Sequence, residues 1–225
     1  MSIVSDAQNA SFPKRREPKM SRFLVAVAVM ALSMSSVTQE GTPKPTVSSD
    51  SLTPDQVAVY RAVLRDYTKG SDGALNLANR TEPVDESRPM FDEACFKEIE
   101  VGMPKPLATV SHTIEASLVV NTRIVLIDPD RQQKLIDKND PQNLIKKAVD
   151  EHEKVTDEQV DQSVKHAFEV GMFTLSEIVF DKQHRRAVVA YSFVCGMLCG
   201  NGNTLILTKS GRDWKVTKRC GGWVS

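Results

Sequence analysis

The sequence is short of several things, and each shortage removes a class of function. It has no excess of charge: Lys+Arg and Asp+Glu both number 29 in 225 residues. A neutral chain gives no global electrostatic reason to bind nucleic acid or an acidic membrane surface, so neither is expected as a partner. Histidine is scarce, with only His112, His152, His166 and His184. A Ser-His-Asp arrangement would have to use one of these four. His152 and His166 sit among charges in helical stretches and read as solvated polar positions. There is no Gly-x-Ser-x-Gly elbow, no His-Glu-x-x-His pair and no glycine-rich phosphate loop. The glycines at Gly200–Gly202 are not followed by a helix, which makes them a poor anion cradle. No stretch carries a catalytic signature, so an enzyme is disfavoured, and no metal or cofactor is expected. No apolar run reaches the roughly 20 residues that a bilayer span needs.

The one sizeable apolar run, Phe23–Leu32, follows Lys14-Arg15-Arg16 and Lys19 and precedes the small residues Ser33–Ser36. A basic flank, roughly ten apolar residues and a small-residue patch make the layout of a secretory signal. Residues 1–36 are therefore expected to be a signal peptide cut after Ser35 or Ser36, with Met20 as an alternative start. If the leader stays attached, it is the only membrane contact expected. Residues 37–51 are polar, aperiodic and expected to be disordered or extended.

The rest, 52–225, reads as a single α+β domain whose tail is a set of strands. Phe173–Phe180, Ala187–Val194, Thr204–Lys209 and Trp214–Lys218 are separated by turns. The second strand is apolar on both faces (Val189, Tyr191, Phe193 and Val188, Ala190, Val194), which marks it as central. The last alternates, with Trp214 and Val216 inward and Lys215 and Thr217 outward. Short strands with tight turns favour antiparallel pairing.

Upstream, Thr53-Pro54-Asp55-Gln56 is a capping box opening a helix with Val57, Tyr60, Val63, Leu64 and Tyr67 on one face, ended at Gly70. Ala74–Thr81 alternates weakly, and Arg123–Ile127 looks like a strand stopped by Asp128-Pro129-Asp130. A short helix over Phe91–Ile99 would carry Cys95. Asp140-Pro141 caps a helix with Leu144, Ile145, Ala148 and Val149 as its buried side. Thr156–Gln159 opens another through Phe168, with Val160, Val164, Ala167 and Phe168 as its core stripe. The two can run together as one bent rod. The expected fold is α+β, with an antiparallel sheet of four to five strands packed against the N-terminal helices. That layout would be similar to the cone-shaped domains of the cystatin or nuclear-transport-factor kind.

From Leu175 onward the chain resembles a family of small bacterial secreted domains of unknown function. The resemblance is carried by Leu175–Asp181, Ala187–Tyr191, Cys195-Gly-x-x-Cys199-Gly with Gly202, and Trp214-Lys-Val216 before Trp223-Val-Ser225. Ile124–Asp128 fits upstream, so about half of the chain past the leader is covered. The resemblance implies export and a disulfide in the CGxxCG loop, and it implies no activity. Cys220 and the turn His184-Arg185-Arg186 depart from the family pattern.

Four cysteines, Cys95, Cys195, Cys199 and Cys220, make an even count in an exported chain and favour disulfides. A hairpin about Gly211 would bring Cys220 opposite Gly202, near the loop. Pairing Cys195–Cys199 with Cys95–Cys220 fits the family loop; pairing Cys220 with Cys199 also remains open. Three residues separate the loop cysteines and no helix start follows them, which argues against a redox-active pair. Zinc on Cys195, Cys199, Cys220 and His184 is the alternative, set against the expectation that His184 lies at the other end of the sheet. His184, Arg185 and Arg186 with Lys182 form a basic turn that can touch an acidic partner or a lipid headgroup, or simply be an exposed turn. Trp223 can serve as a stacking platform or as core packing. The sequence thus points to a secreted or periplasmic, non-catalytic binding or envelope module, with an extracytoplasmic hydrolase as the alternative.

Overall fold

Thr53 starts the first helix by a reciprocal exchange. Its Oγ1 accepts from the Gln56 N–H at 3.3 Å, and its own N–H donates to Gln56 Oε1 at 2.8 Å. These bonds satisfy donors that a helix start leaves unpaired. The computed structural model describes residues 46–48, 50–70, 72–84, 93–101, 110–119 and 123–225. The stretch read as a signal peptide, residues 1–36, lies outside the described residues.

In chain order the elements are β1 (Thr46–Ser48), α1 (Pro54–Tyr67), β2 (Leu75–Ala78), α2 (Glu93–Glu98) and β3 (Val110–His112). Then follow a 3-10 turn (Ala116–Leu118), β4 (Ile124–Ile127), α3 (Pro129–Lys138), α4 (Pro141–Glu151) and α5 (Asp157–Val170). The last are β5 (Met172–Leu175), β6 (Val179–Phe180), β7 (Arg186–Gly196), β8 (Cys199–Ser210) and β9 (Asp213–Val224). Thr46–Ser48 falls inside the stretch read as a polar linker; it is extended and pairs in parallel with Val110–His112.

The fold is α+β, as expected. The sheet is larger than the expected four to five antiparallel strands, and it is mixed. Its order is β4-β2-β5-β7-β8-β9, with β6 beside β7. The C-terminal strands pair antiparallel, whereas β2 runs parallel to both β4 and β5. Parallel neighbours need long crossovers, and the segments between these strands contain helices. The expected strand over Phe173–Phe180 breaks at Ser176, whose N–H and Oγ bond to the Ala190 carbonyl and N–H.

Strand β7 is central, and its two apolar faces serve two cores. Val189 and Phe193 join α1 residues Tyr60, Val63 and Leu64, with Phe173, Leu205 and Trp214. Val188 and Ile206 join Phe96 and Ile99 of α2 and its following turn on the other side.

One local expectation holds with an addition, and two need correction. Asp128 does end β4, but it also caps α3 by accepting from the Arg131 N–H at 2.8 Å. Helices α4 and α5 are not one rod: His152, in the left-handed conformation, closes α4. Their apolar stripes are also not core. Ala148 and Ala167 are buried, while Ile145, Val149, Val160, Val164 and Phe168 are exposed.

Candidate functional site: an apolar groove beside the disulfide hairpin

Those exposed side chains share one place. Ile145 of α4, with Val160, Val164 and Phe168 of α5, faces Phe193, Leu198, Cys199 and Val224 across a groove of about 520 Å³. Phe168 is 55% exposed, Ile145 54% and Leu198 71%. Sites for small ligands are typically concave, about 300–1,000 Å³ and mostly apolar, with a few placed polar groups. Here Asp140, Gln142 and Asn201 supply polar groups at the lining.

Asp140 also sets the geometry. One carboxylate oxygen accepts from the Gln142 N–H at 2.9 Å, capping α4. The other accepts from the Met197 N–H at 2.7 Å and ties the hairpin tip to that helix. The tip is Met197-Leu198 between Gly196 and Cys199, which face each other in the ladder. Gly196 has a φ of +149°, a conformation that favours glycine, and a Cβ there would stand 3.1 Å from the Asp140 carboxyl carbon. On the floor, Phe168 stacks on Phe193 with centroids 6.0 Å apart.

All four cysteines are paired, Cys195 with Cys199 and Cys95 with Cys220, at Cα separations of 5.0 and 5.8 Å. The first bond closes the hairpin beside the groove. The second ties α2 to β9. The alternative Cys199–Cys220 pairing and the zinc set are overturned, since every sulfur they would use is bonded elsewhere. Among the described residues no group of three or more His, Cys, Asp or Glu is placed to hold a metal ion. Two disulfides fit an oxidising compartment outside the cytoplasm. Among the described residues no helix is long and apolar enough to cross a membrane.

The basic turn is largely turned to structural use. The ring of His184 stacks on Phe180 at 4.9 Å. Arg186 donates to the Glu98 carbonyl at 2.9 Å and lies 3.6 Å from Asp181. Burial pushes the Asp181 carboxyl up, but the N–H groups of Arg186 and Arg185 and the Arg186 guanidinium outweigh it and hold the group below its ordinary value. The Arg185 side chain is exposed. Trp223 lies across β8: a Cβ at Gly202 would sit 2.3 Å from its Nε1, and one at Gly200 2.9 Å from its ring edge. The glycines make room for the indole, so Trp223 packs onto the sheet end next to Asn201 of the groove.

Sequence reasoning missed a second constellation. Glu177, nearly buried, accepts at Oε1 from the Thr81 hydroxyl and from the His112 backbone N–H, the latter at 3.0 Å. The His112 Nδ1 lies 2.9 Å from both carboxylate oxygens. Tyr60 donates to the adjacent Ser176 carbonyl at 2.9 Å, and burial pushes its phenol well above the ordinary value. In a hydrolytic triad the imidazole stands between carboxylate and hydroxyl. Here the carboxylate stands between the imidazole and the hydroxyl, which makes a tie between β3, the end of β2 and the β5–β6 link. Its members lie 31 to 96 residues apart, so no local spacing announces it. No protein-family model, no curated protein and no solved structure matches the chain.

Proposed function

We propose that this protein is an exported, non-catalytic binding module whose groove between α4, α5 and the disulfide hairpin takes the apolar part of a ligand. One observation carries the reading: two helices spend their apolar faces on an open groove instead of on the core. Exposing such a stripe forgoes burial worth about 25 cal/mol per Å² of apolar surface. Contiguous exposed apolar patches on soluble chains usually mark interaction sites. The disulfides and the signal-like leader support export to a secreted or periplasmic location, as does the resemblance to small secreted domains with a CGxxCG loop.

A neutral fluorescent apolar probe tests the reading. It is expected to bind the oxidised protein saturably. Phe168→Asp is expected to abolish that binding with only a modest loss of thermal stability, because Phe168 is half-exposed and gives up little beyond its stacking on Phe193. Failure to bind, or binding indifferent to Phe168→Asp, refutes the reading.

A further inference from the structure

The groove has walls of unlike character. The β wall, residues 195–204 and 220–225, carries no charged side chain. The helical segment behind the other wall is net acidic: from Asn139 to Val170 there are eight acidic residues against four lysines, with Asp140 in the lining itself. Asp157, Asp161 and Lys165 each stand three residues before a lining side chain, Val160, Val164 and Phe168, so the edge of the apolar stripe on α5 carries two carboxylates against one ammonium. Asp140 lines the groove, with both carboxylate oxygens accepting backbone N–H groups.

We infer that the occupant of this groove is a basic amphipathic helix of a partner polypeptide. The inference rests on the binding reading above and names its ligand class. Val160, Val164 and Phe168 recur at helical spacing over eight residues, which is about 12 Å along the axis at 1.5 Å per residue. That is two turns, the reach of a docked helix with anchors at i, i+3 or i+4, and i+7. The exposed Leu198 in the lining and its exposed neighbour Met197 suit side chains entering from outside. Flexible methionine is common on surfaces that accept helices of varied sequence.

Charge selects among the occupants an apolar groove can take. Like charges facing each other across an interface are costly, and opposite ones steer association. An anionic lipid surface would meet the Asp157 and Asp161 edge with like charge. A second copy would bring the same acidic helices against this one. A helix with lysine or arginine beside its apolar stripe meets both demands.

The test uses two peptides with one shared apolar stripe, one with lysine and one with glutamate at the polar positions, titrated into the full oxidised chain by fluorescence anisotropy. The basic peptide is expected to bind about tenfold more tightly at low salt, to displace the neutral apolar probe, and to lose most of its advantage at about 0.5 M salt. Asp157→Asn with Asp161→Asn is expected to erase the preference and leave probe binding unchanged. Equal binding of the two peptides overturns the inference, as does tighter binding to anionic phospholipid vesicles or self-association that occludes the probe. If the probe binds and neither peptide does, the inference fails and the binding reading stands. If the probe also fails to bind, both fall together.

Discussion

Lys209 reaches back 154 residues to Asp55, placing its Nζ 2.8 Å from each carboxylate oxygen. The contact joins the first turn of α1 to the β8–β9 hairpin. Trp214 adds an indole N–H at 3.5 Å, and the Lys209 ammonium lies 5.6 Å from the centre of the same ring. The hydrogen bond from Lys209 holds the Asp55 carboxyl below its ordinary value, against the opposing effect of burial. A carboxyl lowered in the folded state stabilises above its unfolded value, near about 3.9. That stabilisation is lost as pH falls through the folded value. Lys209→Met is therefore expected to cost about 0.5–1 kcal/mol at neutral pH, the pair being partly screened by solvent. The cost should fade at acid pH, once pH has fallen through the lowered folded value of Asp55 and the carboxyl is protonated with or without its partner. Denaturant unfolding at the two pH values checks this.

Glu177 should be harder to remove. Glu177→Ala leaves the His112 ring without its acceptor in a largely buried place, and the Thr81 hydroxyl with only the His112 carbonyl at 3.3 Å. The expected cost is about 2–4 kcal/mol, and Glu177→Gln, which keeps an acceptor, should cost less. A loss below about 0.5 kcal/mol would mean that water replaces the carboxylate without penalty.

Such long-range ties mark where the sequence stops being legible. The capping boxes at Thr53–Gln56 and Thr156–Gln159, and the two-faced apolar pattern of β7, are local chemistry, and the structure follows them. The parallel placement of β2 between β4 and β5 has no local signature. Nothing in Leu75–Ala78 says which strands flank it, because its partners, Ile124–Ile127 and Phe173, lie about 50 and 100 residues away in the chain. The stripes on α4 and α5 were readable as apolar, but periodicity shows only that a face wants cover and not what covers it. The groove was therefore hidden behind a correct pattern.

The two disulfides should differ in weight. Cys95–Cys220 spans 125 residues and Cys195–Cys199 spans 4. On loop-closure entropy alone, replacing the long-range pair by serine should cost about 4–5 kcal/mol and the hairpin pair about 2 kcal/mol. The ordering is read from unfolding midpoints of the two double variants; a reversed ordering would show that strain or packing outweighs chain entropy.

Gly202→Ala should act through its neighbour. The new Cβ would stand 2.3 Å from Trp223 Nε1 and 2.9 Å from the Tyr191 carbonyl oxygen, which is backbone and cannot yield easily. A loss of about 1–3 kcal/mol is expected from overpacking, together with a red-shifted indole emission as Trp223 is displaced toward water. Unchanged emission would mean that the indole has room the geometry does not show.

The central claim is that α4, α5 and the disulfide hairpin form a site and not merely an uncovered face. Amide shift mapping during titration with a neutral apolar ligand tests it most directly. The account predicts saturating shifts confined to Ile145, Val160, Val164, Phe168, Leu198 and Val224, with the α1 core silent. Shifts scattered over the surface, or none at all, would contradict it.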